Sequence, residues 1–284
     1  MSNDTQTIDP SNIKRSTNGV KLLLVINIGA FLVTYLFNTD RIIDQFALHY
    51  FQSDLFGWSQ FVTSLFLHGG VWHIAINMFV LWMFGSPLES IWGTKKFLFF
   101  YLICGLGASL LFLGISGWEL NTLRDDVSTY LESPAYEDFI AFADENMDSL
   151  PPQFAEQVNE FRNDWGENPG SSQYQEESRQ VVQDYLQRRI DTPLLGASGA
   201  IYGLLLAFGL IFPNIPIYIY FVLPMKAKYL VILLFVVELY MSYTGAGVGI
   251  ANLAHLGGMI TGFILLQLWG YQKREIRQSQ PDDE

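Results

Sequence analysis

A serine hydroxyl is a poor nucleophile until a base takes its proton, and an imidazole is the usual base. Three stretches of this chain bring such groups into otherwise apolar sequence, where a polar side chain is costly and becomes a candidate for function. Gly196-Ala197-Ser198-Gly199-Ala200-Ile201-Tyr202-Gly203 carries a serine, and Ala251-Asn252-Leu253-Ala254-His255-Leu256-Gly257-Gly258 carries a histidine. In the third, from His68 to Asn77, the i, i+4 spacing puts His73 and Asn77 one turn apart on a single helix face. Each stretch alone has a bland reading, in which small or polar residues hold membrane helices together. As a set they offer Ser198 as nucleophile, His255 as its base, and His73 with Asn77 as donors to the oxyanion of an acyl transfer.

That chemistry requires the three stretches to meet at one depth. Half of the 284 residues are hydrophobic, with uncharged runs at 22–39, 55–88, 97–118, 192–225 and 239–272. A helix needs roughly 20 apolar residues to cross a bilayer. One span per run, with 227–243 recovered across Glu238, gives six, at about 20–38, 68–88, 96–117, 193–212, 227–243 and 251–270. With the N-terminus inside, the inner segments hold Lys14, Arg15, Lys21, Lys95, Lys96, Lys226, Lys228, Lys273, Arg274 and Arg277, and the short outer ones only Arg41. Lys and Arg accumulate in short cytoplasmic loops, so a cytoplasmic N-terminus is expected. Ser198 and His255 then lie at the outer ends of the fourth and sixth spans. Ala251, His255, Gly258 and Gly262, spaced 4, 3 and 4, form a small-residue stripe around the histidine, and Gly199 and Gly203 offer a matching face. Close packing of these two spans would bring His255 to Ser198.

The net charge of −12 lies in one place: residues 118–192 hold 17 Asp and Glu against 5 Arg, and the rest of the chain is neutral. No basic patch is available to neutralise phosphates, so nucleic acid is not expected as a partner. The acidic segment is too long for a simple connector. Phe154, Val158, Phe161 and Trp165 fall on one helical face, and Val181, Val182, Tyr185, Leu186 and Ile190 mark a second amphipathic helix. Pro151-Pro152 and Asn168-Pro169-Gly170-Ser171-Ser172 separate the pieces. A small helical insert outside the membrane is expected; a disordered acidic tether is the alternative. The insert ends a few residues before Ser198, on the side from which water and substrate approach. The single Cys104, inside an apolar run, can form no internal disulfide. Four histidines without a His-Glu-x-x-His pattern give no metal site. His68 reads as structural, His49 as a solvated loop residue, and Glu238 as a residue near the outer interface.

The combination resembles the rhomboid family of intramembrane serine proteases. His-x-x-x-Asn in the second span, Gly-Ala-Ser-Gly in the fourth and Ala-His-x-x-Gly in the sixth carry the resemblance. Trp92-Gly93-Thr94 and the stretch 101–108 are also similar to the family. It covers about 20–117 and 193–270. The resemblance implies an all-α membrane protein, a six-helix rhomboid-like bundle; the acidic, helical extracytoplasmic insert departs from the short outer loop of the family's minimal bacterial members. The expected layout is a cytoplasmic tail (1–19), spans 1–3 (20–117), the insert (118–192), spans 4–6 (193–270) and a cytoplasmic tail (271–284). It further implies serine-type endopeptidase activity on transmembrane protein substrates in a lipid bilayer, with Ser198 and His255 as a dyad lacking an acidic third member. The backbone N–H of Ser198 joins His73 and Asn77 at the oxyanion, and the Tyr202 ring packs on His255. No cofactor is implied. A non-enzymatic member of the same fold and a transporter are the rivals; an intact Ser198/His255 pair argues against the first, and no inverted repeat supports the second. A bacterial plasma membrane is expected, since no Arg-rich, acidic-poor segment precedes the first span.

Overall fold

The computed structural model describes residues 6–8, 18–37, 39–147, 152–219, 223–244, 250–271 and 274–276. Most of both expected tails, with Lys14, Arg15, Lys273 and Arg277, and also Pro151, lie outside the described residues. The helices are α1 (Asn18–Leu36), α2 (Thr39–Phe46), α3 (Gln60–Thr63), α4 (Val71–Trp92), α5 (Thr94–Glu132), α6 (Tyr136–Asn146), α7 (Pro152–Glu167), α8 (Ser172–Ile190), α9 (Ser198–Ile211), α10 (Ala227–Thr244) and α11 (Ile250–Leu268). Among the described residues the strands are short: β1 (Gln6–Ile8) pairs in parallel with β4 (Arg274–Ile276), and β2 (Pro216–Ile219) pairs antiparallel with β3 (Leu223–Lys226).

Among the described residues α1, α4, α5 and α10 are long and apolar enough to cross a bilayer, and α9 and the 252–268 part of α11 are shorter apolar helices. The chain is a multi-pass, all-α membrane protein. Apolar side chains stand exposed along its outer helices, for example Ile232, Val236 and Tyr240 of α10, as a lipid-facing surface requires. The fourth expected span is the clearest departure. At 14 residues α9 is only about 21 Å long, short of the roughly 30 Å hydrocarbon layer. It is buried almost throughout, so its apolar character serves packing inside the bundle.

Local signals explain the ends that matter. Gly93, with φ +77°, a backbone conformation that favours glycine, donates its N–H to the Glu89 carbonyl at 2.8 Å and closes α4, so α5 starts one residue later. The Glu89 carboxylate accepts the N–H groups of Gly19 (2.7 Å) and Val20 (2.8 Å) at the start of α1, and the Thr94 hydroxyl at 2.6 Å. An anion at a helix N-terminus satisfies free donors and complements the dipole there.

Two compact units result. The first comprises Met1–Leu48, Phe56–Phe112 and Pro193–Glu284, and contains the candidate chemistry. The second, His49–Leu55 with Leu113–Thr192, contains the acidic segment. That segment is helical and packed. Trp165 and Phe139 are fully buried beside Val158, Val182 and Tyr185, with Phe154 and Phe161 partly buried against them. Ser171 caps α8, and Arg188 and Arg189 sit in its last turn, where cations are favoured.

Two features of the second unit differ from the sequence reading. The third span was expected to end at 117, but α5 continues to Glu132. No Pro or Gly interrupts residues 118–132, and Leu120, Leu123, Val127 and Tyr130 recur at helical spacing and are buried. The insert also holds α6, whose Phe139, Phe142 and Ala143 form a short apolar face.

Candidate active site

The segment entering α9 is held from several directions. Leu194 and Leu48 exchange backbone hydrogen bonds of 2.7 and 2.9 Å, and the Gly196 N–H reaches the Ser64 carbonyl at 2.9 Å. Gly196 has φ +124°, and a Cβ there would stand 3.0 Å from the His73 ring. Glycine is therefore required both by the backbone and by the close approach of His73. These contacts keep 193–197 out of the helix, so α9 begins at Ser198 and not at 193. As first helical residue, Ser198 presents its N–H among the donors that have no intrahelical acceptor.

His255 reaches the same place from α11. A Cβ at Gly258 would lie 1.8 Å from the Gly199 carbonyl oxygen, and one at Gly262 would lie 3.2 Å from Gly203 Cα. Only glycine lets the α9 and α11 backbones come this close. The expected stripe packs as anticipated, with the side chain of Ala251 outside the described residues. His255 Nε2 lies 2.8 Å from Ser198 Oγ. The Tyr202 ring stacks on the imidazole, with centroids 4.3 Å apart and planes 6° apart.

His73 and Asn77 both lie on α4. The Gly69 N–H donates to His73 Nδ1 at 3.4 Å, which leaves the ring proton on Nε2, the atom facing the Gly196 position. Asn77 is buried, and its Nδ2 has no acceptor among the described residues. A buried amide without a partner is expensive, and it makes a donor available to a ligand oxygen. His68 is buried edge-on to His73, centroids 5.0 Å apart.

Sequence reasoning missed Glu238. Read only as a residue near the outer interface, it is given no part in the chemistry by the sequence, yet it lies against two of the site's side chains. Glu238 is 5 % exposed, its Oε1 accepts the Tyr202 hydroxyl, and the same oxygen lies 3.1 Å from His255 Nδ1. The approach to Nδ1 is too oblique for a straight hydrogen bond. The pair implied to lack an acidic neighbour therefore has one. A signal was present: Glu238 is the one Asp or Glu between Asp191 and Glu275, within an apolar run. His49 also differs from expectation. It is 1 % exposed, in the second unit, and not solvated.

Chemically, the arrangement offers a hydroxyl hydrogen-bonded to an imidazole, a carboxylate behind that imidazole, and two side-chain donors on a neighbouring helix. The Rhomboid domain family model matches residues 56–119 and 177–272, which include His68, His73, Asn77, Ser198, Tyr202, Glu238 and His255. Between the two segments it leaves much of the acidic insert unmatched. Rhomboid-like protein 11, chloroplastic, of Arabidopsis thaliana is 32% identical over 97 residues, 34% of this chain and 33% of that protein. Rhomboid protease GluP of Bacillus subtilis is 36% identical over 53 residues, 19% of this chain and 10% of that protein. Rhomboid-like protease 3 of Toxoplasma gondii is 35% identical over 60 residues, 21% of this chain and 23% of that protein. The matched stretches thus span a third or less of each of these relatives. The family model, by contrast, accounts for more than half of the chain and for every residue gathered around Ser198, and on that ground the chain belongs to the rhomboid family.

Proposed function

We propose that the chain is an intramembrane serine endopeptidase that hydrolyses peptide bonds in or beside transmembrane segments of protein substrates. The observation that carries this reading is the 2.8 Å contact between Ser198 Oγ and His255 Nε2, on two helices locked together through glycines. Ser198 Oγ attacks the substrate carbonyl carbon as His255 Nε2 takes the hydroxyl proton. The negative oxygen that forms is met by His73 Nε2–H, Asn77 Nδ2–H and the Ser198 backbone N–H. Collapse breaks the C–N bond, and His255 returns the proton to the departing amine. Water then attacks the acyl-enzyme, His255 takes a proton from it and gives it back to Ser198, and the carboxyl product leaves. Tyr202 keeps the imidazole in plane.

Membership of the family and two relatives named as proteases support this reading. So does the place of Ser198 as the first residue of α9, a helix shorter than the hydrocarbon layer. An N-terminus on the cytoplasmic side, supported by the Lys and Arg distribution, and a bacterial plasma membrane are part of the same proposal.

The experiment is labelling of the purified chain with a fluorophosphonate serine probe, beside Ser198→Ala. Labelling of the wild type alone is expected. Equal labelling of both, or of neither, contradicts the assignment and favours a family member that binds membrane segments without cutting them.

A further inference from the structure

A carboxylate in an apolar membrane helix is tolerated when it is partnered, and its partners indicate its use. Glu238 meets two side chains from two other helices, Tyr202 of α9 and His255 of α11, and does so through a single oxygen. Its other oxygen, Oε2, is buried without a partner among the described residues. Around it, α10 turns Phe235, Val236, Val237, Leu239 and Tyr240 outward. The acid is thus the polar group that α10 directs inward.

We propose that Glu238 is a positioning residue of this site: its carboxylate holds His255 with the ring proton on Nδ1, leaving Nε2 to take the Ser198 proton. This rests on the hydrolytic reading above and adds a third group to it. An imidazole has two nitrogens, and the partner of one decides which carries the proton. Ser198 occupies Nε2 at 2.8 Å, and Glu238 Oε1 faces Nδ1 at 3.1 Å. When Nε2 accepts the serine proton the ring becomes a cation, and a carboxylate a few ångströms away stabilises it where water is scarce. The proton goes no further than the imidazole. The oblique contact at rest fits this role, since such bonds commonly tighten only as charge develops. Tyr202 then has two tasks. Its ring supports the imidazole face, and its hydroxyl tethers the carboxylate oxygen.

The alternative is that Glu238 only fastens α10 to the bundle. The test measures cleavage of a transmembrane substrate by the full chain in vesicles, with thermal unfolding followed in parallel. Glu238→Gln keeps the shape and removes the charge. Its kcat should fall between about 10- and 100-fold, a fraction of what a general base contributes in all, with KM within about 2-fold. Glu238→Asp, which restores the charge on a shorter arm, should recover part of that loss. Tyr202→Phe should lower kcat about 3- to 10-fold, the worth of one hydrogen bond. Wild-type kcat in a folded Glu238→Gln overturns the proposal, as does an Asp variant no better than Gln. Should Glu238→Gln fail to fold, Tyr202→Phe decides: an unchanged kcat overturns the proposal. Ser198→Ala runs alongside. If it cleaves like wild type the hydrolytic reading itself fails, whereas a dead Ser198→Ala beside a fully active Glu238→Gln removes only the role of Glu238.

Discussion

In the first unit, four polar side chains from three helices, Ser198, Tyr202, Glu238 and His255, turn inward and meet, while apolar side chains cover the outside. In the second, Trp165, Phe139, Val182 and Tyr185 fill the interior, while most of the described acids of 118–192 are left to the surface. The same residue types are used in opposite senses because the solvents differ. An acidic helix in water folds by hiding its aromatic face, and its charges cost little. A membrane helix gains little by hiding leucine, so association depends on close backbone contact and buried polar groups. A substitution in the first unit should therefore alter chemistry, and one in the second should alter stability or substrate preference.

The sharpest contrast should come from His255→Ala, which is expected to abolish turnover of a transmembrane substrate with insertion and unfolding near wild type. Ser198→Ala combined with it should be no worse, because residues acting as a unit fail together; an additive loss would break the pairing. Asn77→Ala should follow, with kcat reduced by about 10²–10³, the range for one oxyanion donor. Unchanged turnover there would make Asn77 a structural residue. Gly258→Ala tests the scaffold. Its new methyl would meet the Gly199 carbonyl at 1.8 Å, so α9 and α11 must part, at a cost of about 1–3 kcal/mol. Both the unfolding temperature and kcat should drop, and a variant that kept both would show that the close approach does not hold Ser198 to His255.

The smallest effect on chemistry should come from the second unit. Trp165→Ala should destabilise that unit by about 3–5 kcal/mol, visible as an early unfolding step, with a near-normal cleavage rate. Replacing about 120–188 with a Gly/Ser linker should spare cleavage of a generic transmembrane substrate. It should also shrink the kcat/KM difference between substrates with basic and acidic flanks, because a negative field reaching about 10 Å at 0.1 M salt is removed. High salt should act in the same direction. Loss of all activity in a folded deletion would mean that the insert shapes the site.

The candidate residues are more legible than the geometry that brings them together. Ser198, His255, His73 and Asn77 stood out because polar groups are rare in apolar runs, and the glycine stripe announced its packing through a helical period. The start of α9 is not legible from hydropathy, which does not register what keeps 193–197 out of the helix: pairing with Leu48, far away in sequence, and the positive φ of Gly196. The long α5 was cut short because its apolar face narrows at 118 without ending. Glu238 was visible as an isolated acid, yet its partners lie 36 residues back and on another helix, contacts that no local pattern encodes.

The most direct test of the central claim is the initial rate of peptide-bond cleavage in a transmembrane substrate co-reconstituted in vesicles, with the cut located by mass spectrometry, for wild type and Ser198→Ala. The wild type should make a single cut in or beside the membrane segment, and Ser198→Ala none above background. Cleavage at the same bond and a comparable rate by Ser198→Ala would contradict the claim.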